Sequence, residues 1–116
     1  HRHIVKTVDF STDGNLLATG GNDKTLRIYN LSEPETDPVA IPHCDDKIMK
    51  LLWLDEQILT GGESGTLRLW DTKTQEVVKS IDLTGRVMDL ELSRDGRTLT
   101  TAAGEHVSFF DVKTLA

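Results

Sequence analysis

The sequence is poor in cysteine, in basic charge and in long apolar runs, and each shortage excludes a class of protein. The single cysteine, Cys44, cannot form an internal disulfide, so we expect a reducing compartment: the cytoplasm, with the nucleus as a second location. Lysine and arginine number 13 against 19 aspartate and glutamate, and the net charge of −6 argues against direct binding to nucleic acid. No apolar run approaches the roughly 20 residues that span a bilayer, so no membrane association is expected.

The pattern of apolar residues predicts strands rather than helices. The 116 residues fit one compact domain, and 37% apolar with 28% charged residues is typical of globular chains. Apolar and polar residues alternate in short segments separated by Asp-Gly, Gly-Gly and Asn-Asp turns. We predict strands at residues 4–10, 15–20, 25–30, 38–41, 48–53, 57–61, 66–71, 76–82, 87–92, 97–102 and 106–111.

The chain also repeats itself. A Thr-Gly-Gly block at 19–21 recurs at 60–62, and a Thr-Leu-Arg block at 25–30 recurs at 66–71, each with an offset of 41 residues. A weaker third copy lies at 87–111, where two alanines replace the glycine pair. Each copy holds one supersecondary unit, so the sequence predicts three similar units stacked side by side.

Units of this length that close on Thr-Leu-Arg, an aliphatic residue, an aromatic residue and Asn or Asp resemble the WD40 repeat of β-propellers. Trp70-Asp71 is the signature dipeptide of that family. The resemblance implies an all-β propeller segment of about three four-stranded antiparallel blades, at residues 1–42, 43–82 and 83–116, the last without its outer strand. Closure takes about four to eight blades. We therefore expect the remaining blades of a longer chain, or self-association, to cover the exposed faces.

The resemblance further implies that a hydrogen-bonded set of His, Ser or Thr, Asp and Trp holds each blade together. The matching positions are His1, Thr19, Asp23 and Tyr29, then His43, Thr60 and Trp70, and finally Thr101 and Phe110. Ser64 stands where the second blade's Asp is expected, and the third blade has no matching His.

One rim of such a blade stack is the predicted partner-binding surface. The loops that enter the first strand of each blade and that join its second and third strands share this rim, and rigid strands that carry variable loops commonly form binding faces. The candidate binding residues are Arg2, Asn22, Lys24, Asp45, Asp46, Lys47, Glu63 and Arg86. The opposite rim carries an acidic loop with Glu33, Glu35 and Asp37, which could meet a basic partner.

The sequence contains no motif that predicts catalysis, a metal or a cofactor. His1 and His3 form a potential metal pair, but the repeat explains His1 as a structural residue. The glycine-rich stretch at 61–66 lacks the Gly-Lys-Ser/Thr ending of a phosphate loop and leads into a strand. We therefore expect a protein that is not an enzyme.

Within the WD40 family, the stretches at 1–10, 17–29 and 33–35 are similar to the Unrip family of serine-threonine kinase receptor-associated proteins. This resemblance implies a scaffold in the survival-motor-neuron complex and spliceosomal ribonucleoprotein assembly, and in receptor-kinase signalling of the TGF-beta type. Its implied partners are Gemin-type subunits and receptor-kinase signalling proteins. The alternative is a WD40 subunit of a translation or RNA-processing complex that contacts RNA directly.

Overall fold

The computed structural model describes residues 4–33, 35–42, 46–54, 56–83 and 85–112. These residues form three antiparallel sheets, called blades one, two and three below. Blade one contains β1 (Val5–Phe10), β2 (Leu16–Gly21), β3 (Thr25–Asn30) and β4 (Val39–Pro42). Blade two contains β5 (Ile48–Leu54), β6 (Gln57–Gly62), β7 (Thr66–Asp71) and β8 (Glu76–Asp82). Blade three contains β9 (Val87–Leu92), β10 (Thr98–Ala103) and β11 (His106–Asp111).

The predicted fold class is confirmed. Every predicted strand is present with its ends within one residue of the prediction, and strands follow one another in sequence order inside each blade. The described residues contain no helix and the three sheets do not close into a ring. In particular, no helix in the described part of the chain has the length and apolarity needed to cross a bilayer. The exact blade boundaries remain a prediction.

The two predicted Asp-Gly turns adopt the backbone conformation that glycine allows. Gly14 and Gly96 have φ angles of 76° and 71°. In both turns a serine hydroxyl donates to the aspartate two residues later, from Ser11 to Asp13 and from Ser93 to Asp95, at 2.6 Å in each case. The same short sequence therefore folds the same way in blades one and three.

The apolar core lies between the blades rather than inside any one of them. One cluster of buried residues joins blades one and two, and a second joins blades two and three. The first includes Leu26, Ile48 and Trp53, and the second includes Leu67, Val87 and Leu99. Burying each such side chain contributes about 1.5–3 kcal/mol, so a blade is stabilised mainly by its neighbours.

Two glycines in the repeated Thr-Gly-Gly block allow this close packing. A Cβ atom on Gly20 would lie 2.5 Å from Ile48 Cγ2, and one on Gly61 would lie 2.5 Å from Val87 Cγ1. Both distances are far inside van der Waals contact. Ile48 and Val87, the β-branched first residues of β5 and β9, therefore fit only against a glycine of the preceding blade.

Polar contacts also join blades one and two along β1 and β5, the first strand of each blade. The Thr7 hydroxyl accepts from the Leu51 amide at 3.3 Å, and the Asp9 carboxylate accepts from the Trp53 amide at 3.0 Å. The Trp53 indole N–H donates to the Asp9 carbonyl at 3.0 Å. These bonds fix the Trp53 ring at the junction of the two blades.

The outward faces of the first and third blades are apolar. Val8 and Phe10 of blade one are 57% and 59% exposed, and Val107 and Phe109 of blade three are 62% and 68% exposed. Large exposed apolar side chains two residues apart on a strand share one face of the sheet, and such faces are typical of surfaces that pack against further protein.

Candidate protein-interaction surface

The strand registers place the predicted blade-holding residues at equivalent points. Thr19, Thr60 and Thr101 pair with Arg27, Arg68 and Ser108 on the following strands. The aromatic residues Tyr29, Trp70 and Phe110 lie two residues further along, opposite Leu17, Ile58 and Leu99. All three threonines are buried. The second and third strands of the three units therefore pair in equivalent registers, as the repeat predicts.

The aromatic position differs between the blades in burial and bonding. Trp70 is buried between blades one and two, and its indole N–H donates to the Thr60 hydroxyl at 2.9 Å. Phe110, which has no N–H, packs against the cluster between blades two and three. Tyr29 is only half-buried because it lines the open face of blade one with Val5 and Val8.

A carboxylate–arginine pair supports the turn between the second and third strands in two blades. In blade one, the predicted residue Asp23 accepts from the Arg27 guanidinium at 2.6 Å. In blade two the corresponding arginine, Arg68, lies 3.3 Å from Asp46. Arg68 and Asp46 are 14% and 10% exposed, so this pair is largely shielded from water.

Asp46, one of the predicted partner-binding residues, is hydrogen-bonded within blade two. Its carboxylate accepts from the Ser64 hydroxyl at 2.7 Å and from the Ser64 amide at 3.2 Å, inside blade two. Gly62 is needed beside it, because a Cβ atom there would overlap the Asp46 carboxylate. Ser64, which replaces the expected Asp, therefore works with a carboxylate from a different loop. An arginine at position 68 with serine at position 64, where the repeat expects aspartate, was the signal for such a partner.

Three other predicted rim residues form a charged line across the boundary between blades two and three. Glu63 lies 4.0 Å from Lys47 in its own blade and 3.8 Å from Arg86 at the start of blade three. All three side chains are 40–53% exposed. Exposed pairs of this kind contribute about 0–1 kcal/mol to stability, so their charges are available to a partner.

Of the remaining predicted rim residues, the structure describes two, Asn22 and Lys24. Lys24 is exposed in the turn between β2 and β3, and Asn22 beside it is half-buried. The predicted residues Arg2 and Asp45, with the predicted blade-holding residues His1 and His43, lie outside the described residues. Asp46, Lys47, Glu63 and Arg86 lie near one another, and their role in binding a partner stays a prediction.

The opposite rim contains a groove that the sequence did not reveal. Its volume is about 820 Å³, and it lies where turns of blades one and two meet. The lining residues are Ser11, Thr12, Asp13, Leu16, Trp53, Leu54, Glu56, Gln57, Asp71, Thr72 and Lys73. Among the described residues, no three His, Cys, Asp or Glu side chains are grouped to hold a metal ion, here or elsewhere.

The repeat, the three stacked antiparallel sheets and the shared aromatic position define a class of protein. Residues 1–30 and 39–71 match the family model of the WD domain, G-beta repeat. The chain belongs to the WD40 repeat family, whose members are typically protein-interaction scaffolds.

Particular members of the family are similar over nearly the whole chain. Serine-threonine kinase receptor-associated protein of Homo sapiens is 43% identical, covering 99% of this chain and 33% of the relative. Its counterpart in Gallus gallus is 42% identical over the same shares. Eukaryotic translation initiation factor 3 subunit I of Drosophila willistoni is 38% identical, covering 96% of this chain and 39% of the relative. The chain spans about a third of the length of the first of these relatives.

Proposed function

We propose that the chain acts as a non-catalytic adaptor of the Unrip type. Its similarity to serine-threonine kinase receptor-associated proteins carries this proposal, at 43% identity over 99% of the chain. The proposed settings are receptor-kinase signalling of the TGF-beta type, and the survival-motor-neuron complex in spliceosomal ribonucleoprotein assembly. The proposed partners are receptor-kinase signalling proteins and Gemin-type subunits. The proposed locations are the cytoplasm and the nucleus.

The charged line of Lys47, Glu63 and Arg86 supports a binding role for the rim. Its residues come from loops of two blades, and the strands behind them are packed by a buried apolar cluster. The backbone positions that carry these three charges are therefore fixed relative to one another. Charges at such exposed sites mainly direct association and specificity.

Affinity purification of the full-length protein from cells tests this proposal. We expect Gemin-type subunits and receptor-kinase signalling proteins to be recovered, and to be lost or reduced with the double variant Lys47→Glu, Arg86→Glu. The double variant Lys79→Glu, Arg94→Glu is the matched control, since it makes the same charge change on one exposed lysine and one exposed arginine away from this line. Recovery of neither partner class with the unmodified protein would refute the proposal.

In this proposal, further blades of the full-length protein cover the apolar faces of blades one and three. Val8 and Phe109 are each more than half exposed, and the relatives are about three times as long as the chain. Light scattering on the full-length protein should then give a monomer. A discrete oligomer would instead favour self-association through these faces.

The second candidate is a WD40 subunit of a translation complex that contacts RNA directly. The similarity to eukaryotic translation initiation factor 3 subunit I, at 38% identity, favours it. The net charge of −6 opposes it, as does the burial of Trp53 and Trp70, because RNA binding uses basic grooves with exposed aromatics. Filter binding across a salt series separates the two, since direct RNA contact weakens steeply as salt rises.

A further inference from the structure

The groove between blades one and two combines an apolar floor with acidic walls. The half-buried side chains of Leu16 and Leu54 form the apolar floor, and Trp53, which also lines the groove, is buried. Because the Trp53 indole is hydrogen-bonded to Asp9 of blade one, its ring is held in place across the junction. The exposed apolar atoms of the floor therefore come from Leu16 and Leu54, next to a ring that is fixed in place.

The walls carry more negative than positive charge. Asp13, Glu56 and Asp71 line the groove with one cation, Lys73. Lys73 lies 3.5 Å from Glu56, and their side chains are 76% and 78% exposed. A pair as exposed as this contributes about 0–1 kcal/mol, so an incoming cation could replace Lys73 at little cost.

Two of the wall carboxylates are held in position by their own turns. Asp13 Oδ1 accepts from the Ser11 hydroxyl and from the Asn15 amide, and these bonds lower the pKa of the Asp13 carboxyl. Asp71 Oδ1 accepts from the Lys73 and Thr74 amides at 2.8 and 3.1 Å. Each carboxylate has a second oxygen with which to accept from a ligand. The charges are therefore ordered before any ligand arrives.

We propose that this groove binds a basic linear segment of a partner protein. The aliphatic stem of an arginine or lysine would lie along the floor of Leu16 and Leu54, with its charged end among the three carboxylates. Arginine fits best, because its planar guanidinium pairs with carboxylates through two parallel bonds. The carboxylates would repel a phosphate backbone. This inference rests on the proposed adaptor function and names the chemistry of one partner.

Fluorescence anisotropy with a labelled octapeptide of alternating arginine and alanine tests the groove in the full-length protein. We expect the peptide to bind, and binding to weaken with added salt and with citrulline in place of arginine. Glu56→Gln and Asp13→Asn should each raise the Kd about three- to fivefold, the effect of losing one exposed ion pair.

Asp95→Asn is the matched control. Asp95 occupies the same kind of turn in blade three, accepts from Ser93 as Asp13 accepts from Ser11, and carries the same charge. It should leave the Kd within about twofold. Equal weakening by Asp13→Asn and Asp95→Asn would overturn the proposal, because it would indicate attraction to the overall negative charge. Absence of peptide binding would also overturn it.

The outcomes separate this inference from the adaptor proposal. If the peptide fails to bind while Gemin-type or receptor-kinase proteins are still recovered, the groove assignment is wrong and the adaptor function stands. If the peptide binds as expected while neither partner class is recovered, the groove assignment stands and the adaptor proposal fails.

Discussion

Arg27 and Arg68 occupy the same place in consecutive blades but find their carboxylates in different segments. Arg27 pairs with Asp23 in its own turn, whereas Arg68 pairs with Asp46 from the loop before β5. In the second arrangement the loop, the turn and the strand are tied to one carboxylate. The Asp46 carboxylate therefore joins three segments of blade two, whereas the repeat pattern predicts an acid that joins only the turn and the strand.

Asp46→Asn should destabilise the chain strongly for its size. It removes the negative charge opposite Arg68, a guanidinium that is only 14% exposed, and breaking a shielded ion pair costs about 3 kcal/mol. Denaturant unfolding followed by tryptophan fluorescence measures this loss. Glu63→Gln is the control, since its two ion pairs are exposed and should cost less than about 1 kcal/mol. Equal losses in the two variants would contradict the assignment.

Trp70→Phe tests the second residue-scale contact. The variant keeps an aromatic ring, as at Phe110, but removes the N–H that donates to the buried Thr60 hydroxyl. We expect the free energy of unfolding to fall by about 1–3 kcal/mol, the range for a lost buried hydrogen bond with reduced packing. Tyr29→Phe, at the half-buried equivalent position, should change it by less. A fully stable Trp70→Phe variant would show that packing alone holds this blade.

At the scale of elements, the turns carry the most local information. The Ser-x-Asp-Gly turns after β1 and β9 have the same hydrogen bonds and similar positive φ angles at Gly14 and Gly96. The turn between β2 and β3 has Lys24 at a φ of 61°, whereas its counterpart in blade two has Gly65 at 95°. Lys24 therefore adopts a conformation that glycine adopts more easily.

Lys24→Gly should raise the free energy of unfolding by about 0.5–1 kcal/mol, since it relieves the left-handed backbone at a partial cost in chain entropy. The opposite change, Gly65→Ala, should be destabilising, because its Cβ would lie 2.5 Å from the Gly85 carbonyl oxygen. Thermal unfolding of the two variants measures both effects. A decrease in stability for Lys24→Gly would show that the Lys24 side chain makes contacts that outweigh the strain.

The Ser-x-Asp-Gly turns after β1 and β9 predict that the stability of the fold depends on pH. Hydrogen bonds from Ser11 and Ser93, followed by those from the Asn15 and Arg97 amides, lower the pKa of Asp13 and Asp95 below the usual 3.8. A lowered folded-state pKa stabilises the fold above pH 3.8, and this contribution is lost as the pH falls through the folded-state value.

The double variant Asp13→Asn, Asp95→Asn should therefore be less stable than the unmodified chain at neutral pH. Protonated aspartates lose the stronger hydrogen bonds that the charged carboxylates accept. The difference in free energy of unfolding between the two proteins should therefore shrink by about pH 2. Urea unfolding at several pH values gives both numbers. A difference that stays constant down to the lowest pH would show that the turns are stabilised by shape and not by the charged acceptors.

The fold was predictable from the sequence to a larger extent than the candidate sites. Alternation and the offset of 41 residues between Thr19 and Thr60 depend only on the order of residues, so they gave the strands and their stacking. The partner of Arg68 and the groove beside Trp53 depend on which loops meet after the blades pack. No local pattern encodes that meeting, which is why neither the pairing of Arg68 with Asp46 nor the groove was predicted.

At the scale of the whole molecule, each blade contacts its sequence neighbours through a glycine. The Ile48 side chain packs against Gly20, and the Val87 side chain packs against Gly61. The buried apolar clusters follow the same pattern, one at each junction. Stability in this architecture is therefore the sum of blade and junction contributions.

Gly61→Ala should cost about 1–3 kcal/mol, because its methyl group overlaps Val87. Val87→Ala should also destabilise the chain, since it leaves a cavity. In the double variant the smaller residue makes room for the added methyl, so the loss should be less than the sum of the two. Equilibrium unfolding of all four proteins tests this coupling, and strict additivity would contradict a direct contact across the junction.

The third copy of this glycine is an alanine, Ala102, one residue after Thr101. In blade one, Val5 holds the place in the register that Ile48 and Val87 hold in the other blades. Head-to-tail stacking of two copies would thus press an isopropyl group against a methyl where only hydrogen leaves room. A β-branched residue at the matching position of any segment packed on blade three would therefore meet a methyl group where Ile48 and Val87 meet only hydrogen.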